Sequence, residues 1–219
     1  MLSLLRRQPS AFLFAGQLAG VLVYPAMEGS GVGRSLFSVF GIAILGLVVL
    51  AVRSTRAFTW VAIVLGTPAT VLLLIQAITR DDSLLAYSSA LEAVLYFYAA
   101  AALIEYMLED HVITRDELFA VGATFTLVAW GFAYLFTVVQ EIEPAAFART
   151  GDPRTWMELL FLSFTTLSST GLSDIVPVKP FARSVVMIEQ LAGVAYIAMV
   201  VSRLVGLTVL SARRSIERR

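Results

Sequence analysis

Six long apolar stretches constrain this chain more than any other feature of its sequence. A helix needs about 20 apolar residues to cross the hydrocarbon core of a bilayer. The stretches that reach this length are roughly Ala11–Met27, Ser35–Val52, Phe58–Ile78, Leu84–Leu108, Leu118–Ile142 and Phe181–Leu207. A seventh stretch, Thr155–Ser169, is too short to cross and lies between the fifth and the sixth, which is typical of a re-entrant segment. We therefore predict an all-α membrane protein with six transmembrane helices and one re-entrant helix per chain.

The composition agrees with this class and excludes several others. Of the 219 residues, 58% are hydrophobic and 15% are charged, whereas a soluble domain is about 45–50% apolar and about 25% charged. The chain has no cysteine, so disulfides and thiolate metal sites are excluded, and its one histidine, His111, excludes a multi-histidine site. The net charge is zero and no basic tract is present, so nothing indicates a nucleic-acid partner.

Basic residues near the helix ends predict the orientation, because they concentrate on the cytoplasmic side. With the N-terminus inside, ten of the 16 basic residues fall in cytoplasmic segments: Arg6, Arg7, Arg53, Arg56, Arg115, Arg203, Arg213, Arg214, Arg218 and Arg219. Both termini are therefore predicted to be cytoplasmic, and the re-entrant segment enters from outside. Lys179 is the single lysine beside 15 arginines. This bias suggests a GC-rich bacterial genome, and so a multi-pass protein of the inner (plasma) membrane.

The most informative part of the sequence is Thr155–Leu207. A short apolar helix, Trp156–Leu167, is followed by small and hydroxyl residues, Asp174, a turn with two prolines and the last long helix. Non-helical backbone at membrane depth is tolerated where it lines a watery cavity. The carbonyl end of a short helix aimed at that cavity favours cations. One chain supplies only part of such a ring, so an oligomer is required.

This order of elements resembles the pore module of the potassium-channel superfamily, in particular bacterial six-helix members with a two-helix ion-channel pore. The family's filter motif T-V-G-Y-G-D falls without gaps on Ser169–Asp174, and the end of its pore helix falls on Thr165-Thr166-Leu167. Its inner-helix hinge glycine falls on Gly193. The resemblance covers about 50 residues with the family's order and spacing.

The resemblance implies a homotetrameric channel in membrane lipid that conducts monovalent cations passively, potassium first. A weakly selective potassium/sodium channel and a non-conducting subunit are the alternatives. It implies no cofactor other than the permeant ion, K⁺ or Na⁺, with K⁺ bound at Ser169, Thr170 and Gly171. The filter would be Ser169, Thr170, Gly171, Leu172 and Ser173, supported by Thr165, Thr166, Ser168, Asp174 and Glu189. Asp174 would brace the outer mouth and Gly193 would let the inner helix bend, with Val194, Ile197 and Val201 lining the cavity.

Only Gly171 and Asp174 keep the family's residues in this motif, and three of the departures bear on the filter. Ser169 replaces a threonine, which keeps the hydroxyl, and Leu172 replaces an aromatic residue that braces the filter. Ser173 replaces a glycine at a position that needs a left-handed backbone, which costs another residue roughly 1–2 kcal/mol. We therefore expect the outermost ion site to be reshaped or missing, and discrimination of potassium from sodium to be weaker.

The chain is predicted to contain two domains. Residues 1–112 form a four-helix transmembrane domain that resembles a voltage-sensor region, and residues 113–219 form the pore domain. A voltage sensor needs several arginines in its fourth helix, and Leu84–Leu108 has none. The first four helices are therefore expected to act as a structural collar without steep voltage dependence. No segment is predicted to form a ligand-binding domain.

Acidic residues within the spans need partners, because a charge there is costly. For Glu189 two interpretations stay open: an acid that braces the pore helix, or a neutral acid bonded to a neighbouring helix, with Thr165 and Thr166 as candidate partners. Glu92 is expected inside the helix bundle. Glu158 is expected to pair with a nearby arginine at the surface.

A rhomboid-type intramembrane protease is the rival from another class, because Gly171-Leu172-Ser173 resembles part of a G-x-S-G motif. A nucleophilic serine needs a base within hydrogen-bond reach. The only histidine, His111, precedes Ser173 and lies on the opposite side of the membrane by the predicted topology. Asp174 also stands where the motif needs glycine. The sequence therefore predicts a protein that is not an enzyme.

Overall fold

A computed structural model describes residues 8–27, 31–53, 55, 57–79, 82–109, 115–147 and 153–217. In this part of the chain the regular elements are helices. They are α1 (Pro9–Met27), α2 (Gly31–Arg53), α3 (Thr59–Thr79), a 3₁₀ turn (Asp82–Leu84), α4 (Leu85–Leu108), α5 (Arg115–Ile142), α6 (Trp156–Leu167) and α7 (Pro180–Glu217). His111, considered above as a base, and the predicted domain boundary at residues 112 and 113 lie outside the described residues.

Helix lengths and hydropathy support a multi-pass membrane protein. Among the described residues, four helical segments are long and apolar enough to cross a bilayer: Thr59–Thr79, Leu85–Leu108, Asp116–Ile142 and Pro180–Gly206. They correspond to the third, fourth, fifth and sixth predicted spans. The first two predicted spans are helical as well, but their described apolar portions, Pro9–Pro25 and Val39–Arg53, are shorter. An all-helical fold is confirmed, whereas the count of six spans stays a prediction.

Helix α5 lies at the centre of the bundle and packs against α1, α4, α6 and α7. One apolar core runs through α1–α6 and includes Leu13, Val48, Leu103, Leu127 and Leu160. A second core joins α5, the segment around Phe147, α6, Ile175 and the start of α7. The four-helix collar and the pore elements therefore share packing.

Aromatic rings fill the junction between α4, α5 and α6. Tyr96 and Tyr134 stack with ring centroids 5.5 Å apart, and Trp130 meets Trp156, the first residue of α6, edge-on at 5.1 Å. Glu92 is buried beside these rings and shares a side-chain hydrogen bond with Tyr134. The expectation that Glu92 lies inside the bundle is confirmed, and the ring cluster connects the collar to the start of the short helix.

The N-terminal end of α5 holds two neighbouring helices through acidic side chains. Ser10 of α1 donates from its backbone amide (3.3 Å) and its hydroxyl (3.0 Å) to the two carboxylate oxygens of Asp116. Arg203 of α7 forms an ion pair of 3.0 Å with Glu117. Both partners of that pair are largely shielded, with 16% and 7% of their side-chain surfaces exposed.

Candidate ion pathway

The short helix α6 begins at a well-defined position. The Thr155 side chain accepts a hydrogen bond from the Glu158 amide, while the Glu158 carboxylate accepts one from the Thr155 amide. This reciprocal capping box satisfies two donors that a helix start otherwise leaves free. Glu158 also pairs with Arg154 at 3.2 Å, so the expected surface pair is confirmed.

A glutamine of α5 fixes the segment that leads into α6. The Gln140 amide group donates to the carbonyl oxygen of Arg154 (3.0 Å) and accepts from its backbone amide (2.8 Å). The Arg154 guanidinium in turn donates to the carbonyl of Phe147. The entry to α6 is therefore held by α5 through main-chain bonds.

At its other end, α6 stops at a left-handed serine. Ser169 has a φ of 60°. Its amide donates to the Thr166 carbonyl, and the next amide, of Thr170, donates to the Thr165 carbonyl, both at 3.0 Å. This pair of bonds is the Schellman arrangement, which normally has glycine at the left-handed residue. The amide of Gly171 also donates to the Thr165 carbonyl, at 3.1 Å.

Residues 169–172 follow as a non-helical, uncovered segment, called the strand below although it forms no regular β-structure. Ser169, Thr170, Gly171 and Leu172 are exposed in one subunit, and 78% of the Leu172 surface is accessible. Gly171 has a φ of 67°, a conformation for which glycine is suited. Ser168 and Thr170 support this strand from one side through hydroxyls 3.0 Å apart.

Ser173 is not in the left-handed region, since the positive-φ residues of the described chain are Ala145, Ser169 and Gly171. Its hydroxyl instead accepts a hydrogen bond from the Ile175 amide at 3.1 Å. A left-handed residue therefore lies at Ser169, before the glycine, where no sequence feature predicted it. Ser173 lacks the left-handed backbone that the resemblance associates with its position.

The chain after the strand is tied back to the loop that follows α5. Ile175 is buried, and the amide of Val178 donates to the carbonyl of Ala146 at 2.9 Å. Asp174 is exposed and has no hydrogen-bond or ion-pair partner within the described part of one subunit. Its role as a brace of the outer mouth stays a prediction.

Helix α7 passes the end of α6 at closest range at Gly193. A Cβ at this position would overlap the carbonyl oxygen of Leu167 and come within 2.9 Å of its carbonyl carbon. The helix runs without a break from Pro180 to Glu217. Close packing against the main chain of Leu167 therefore explains why glycine is needed at position 193, and bending of α7 there stays a prediction.

Glu189 is fully buried where α5, α6 and α7 meet. Its Oε1 atom is hydrogen-bonded to the Ser163 hydroxyl, and the same hydroxyl lies 2.8 Å from the carbonyl oxygen of Ala129. The candidate partners Thr165 and Thr166 were wrong, because the serine of the preceding turn occupies this place. Thr165 is instead bonded locally, donating to the Leu162 carbonyl at 2.9 Å.

One face of α7 is apolar and exposed in a single subunit. It carries the three predicted cavity residues, Val194, Ile197 and Val201, together with Met187, Ile188, Leu191 and Val205. A continuous apolar face on a membrane helix faces lipid, a second subunit or a dewetted cavity. The placement of the three residues on this face agrees with the predicted cavity lining without testing it.

Part of the chain matches a known protein family. A family model described as an ion channel matches residues 122–209, from within α5 through α6 and the strand into α7. This match covers less than half of the chain and supports a potassium-channel-type pore domain in residues 122–209, so the resemblance drawn from the sequence is confirmed for this region. No curated protein and no solved structure matches the chain significantly.

Three residues of the site escaped the sequence analysis. Ser163 and Gln140 are polar residues in apolar helices, and this contrast could have marked them as candidate site residues. Leu167 contributes only its main-chain carbonyl, which no sequence pattern reveals. The family match indicates a transporter of ions, which argues against the protease interpretation.

Proposed function

We propose that the chain forms a fourfold symmetric homotetramer through which monovalent cations, potassium first, move down their gradient. The observation that supports this most is the exposed, non-helical segment of residues 169–172 between the spanning helices α5 and α7, whose carbonyl oxygens have no hydrogen-bond partner among the described residues. Unpaired backbone at that depth is stable only if it faces a water-filled path or another subunit. A ring of four such strands satisfies both conditions.

In this assembly K⁺ is bound at Ser169, Thr170 and Gly171, with Leu172 and Ser173 at the outer end. The left-handed residues Ser169 and Gly171 alternate with Thr170 along the strand. Ser173 does not continue the alternation, which supports fewer carbonyl sites in series. The runner-up is therefore a weakly selective potassium/sodium channel, because discrimination depends on the number of coordinating carbonyls.

A non-conducting membrane subunit is the other candidate, and the altered outer end of the strand is the observation that favours it. The inner (plasma) membrane with both termini in the cytoplasm is the proposed location, from the distribution of arginines. Gating without steep voltage dependence is proposed because α4 carries no arginine.

Reconstitution into liposomes tests the proposal. The purified protein should be a tetramer, and it should pass potassium when a gradient is imposed. Bi-ionic reversal potentials then measure selectivity: a potassium-to-sodium ratio well above one supports the potassium channel, and a ratio near one supports the runner-up. Flux of neither ion through a verified tetramer would refute a channel function.

A matched pair of glycine variants links the flux to the strand. Gly171→Ala places a side chain at a φ of 67° with no heavy atom within 4 Å, so the strain of roughly 1–2 kcal/mol falls on the backbone alone. Gly46→Ala, in the collar and equally open, is the control. Flux should fall in the first variant and persist in the second.

A further inference from the structure

Glu189 is the only charged residue of α7 between Arg183 and Arg203. It is fully buried at the crossing of three helices, and its Oε2 atom has no hydrogen-bond partner among the described residues. A charge in such a place is rare in membrane helices and marks a function when it occurs. Whether Glu189 is a charged carboxylate or a neutral acid therefore bears on its function.

The number of protons available for the hydrogen bonds around Glu189 indicates its protonation state. The Ser163 hydroxyl has one proton and touches two oxygens, the Ala129 carbonyl and Oε1 of Glu189. A carbonyl oxygen brings no proton of its own. If Glu189 were a carboxylate, one proton would have to serve both contacts. A carboxylic acid gives each contact its own proton, since Glu189 donates to Ser163 and Ser163 donates to Ala129.

We infer that Glu189 is held as a neutral carboxylic acid and that its proton positions the pore helix α6 between α5 and α7. Ser163 lies one turn before Leu167, whose carbonyl contacts Gly193, and six residues before Ser169. The chain Glu189–Ser163–Ala129 therefore fixes α6 shortly before the strand begins. The effect on conduction rests on the proposed channel function, whereas the protonation of Glu189 does not.

Loss of this proton would leave an uncompensated charge. Among the side chains that the structure describes, the ionisable groups on the three helices around Glu189 are few: Asp116, Glu117, Tyr134 and Glu141 on α5, Glu158 on α6, and Arg183, Tyr196 and Arg203 on α7. Asp116 is bonded to Ser10, Glu158 is paired with Arg154, and Glu117 is paired with Arg203. None of them is bonded to Glu189 in the described structure. A carboxylate there would repel the oxygens that it now holds, and a buried charge without a partner is strongly destabilising. Raising the pH until Glu189 ionises should therefore displace α6.

Infrared spectroscopy of the purified protein tests the protonation independently of ion flux. The wild-type spectrum at neutral pH should contain a carbonyl band of a protonated carboxyl group that is missing in Glu189→Gln. The control is Glu105→Gln, at an exposed position of α4, which should leave that band unchanged. Identical spectra for the wild type and Glu189→Gln would overturn the inference, whether or not the protein conducts ions.

Potassium flux in liposomes tests the positioning role. Glu189→Gln keeps a donor for Ser163 and cannot ionise, so it should retain flux and show no decline at alkaline pH, whereas the wild type should decline as the pH rises. Glu189→Leu removes the bond to Ser163, and we expect about a tenfold or greater loss of flux or of potassium-over-sodium preference. If Glu189→Leu does not fold, the flux-against-pH profiles of the wild type and Glu189→Gln still test the positioning role. Coinciding profiles for the wild type and Glu189→Gln would refute the positioning role.

Discussion

Replacement of Gly193 by alanine is the sharpest test of how the inner helix meets the pore helix. The added Cβ would lie 2.9 Å from the carbonyl carbon and 3.0 Å from the Cα of Leu167, whereas carbon atoms in contact prefer about 3.5–4.0 Å. Because the obstacle is main chain rather than a flexible side chain, and the Leu167 carbonyl oxygen lies closer still, the two helices must separate by at least about 0.5–1 Å. Overpacking of this kind costs about 1–3 kcal/mol.

The cost can be measured as a change in melting temperature. For a chain of this size 1 kcal/mol corresponds to about 2–4 °C, so Gly193→Ala should melt about 2–12 °C below the wild type. Gly206→Ala is the matched control on the same helix, since among the described residues no heavy atom outside the adjacent backbone of α7 lies within 4 Å of the added Cβ. The control gains up to about 1 kcal/mol of helix propensity. If Gly193→Ala melts no lower than Gly206→Ala, the steric argument fails, and a hinge becomes the better account of this glycine.

Three further perturbations follow from the site. Leu172→Tyr with Ser173→Gly should raise the potassium-to-sodium ratio in bi-ionic measurements, because it restores the aromatic brace and the residue suited to a left-handed backbone. Glu117→Gln should lower the free energy of unfolding by about 3–5 kcal/mol, because it removes the charge that pairs with the shielded Arg203 cation. Gln140→Leu should lower thermal stability and potassium flux together, because it removes two hydrogen bonds that hold the entry to α6, with an expected cost of about 1–3 kcal/mol.

Each of these has its own control. An unchanged ratio in the double filter variant would show that the strand's path, and not these two side chains, limits selectivity. Glu117→Leu combined with Arg203→Met should recover most of the stability lost in Glu117→Gln, since it removes both charges. For Gln140 the exposed neighbour Glu141 serves as a comparison: Glu141→Gln should leave stability and flux unchanged, and equal effects would contradict the proposed clamp.

The sequence predicted the parts of this protein that depend on hydropathy and order. Apolar length predicted the helices, and the short stretch Thr155–Ser169 contains the short helix α6, observed at Trp156–Leu167. The re-entrant course of α6 stays a prediction. The spacing from α6 to Gly171 and Gly193 indicated the pore domain that the family match confirms. These features are set by the bilayer, which restricts what a chain can do at a given depth.

The features that could not be predicted from the sequence are contacts between particular atoms. Ser163, Thr165 and Thr166 lie within about one turn of the same helix, and all three are polar. The sequence therefore does not indicate which of them is the partner of Glu189. The left-handed conformation of Ser169 could not be predicted from the sequence, because the Schellman bonds at the end of α6 determine it locally. The contact of Gly193 involves a main-chain atom, so no residue pattern announces it.

The aromatic cluster between α4 and α6 has a consequence for how the molecule unfolds. Trp130 and Trp156 belong to the pore elements, yet their neighbour Tyr96 belongs to the collar, and one apolar core extends over both. Two regions that share a core in this way lose it together. Heating should therefore give a single cooperative transition, and a fragment beginning at residue 113 should not melt as an independent unit, because it would carry half of an interior.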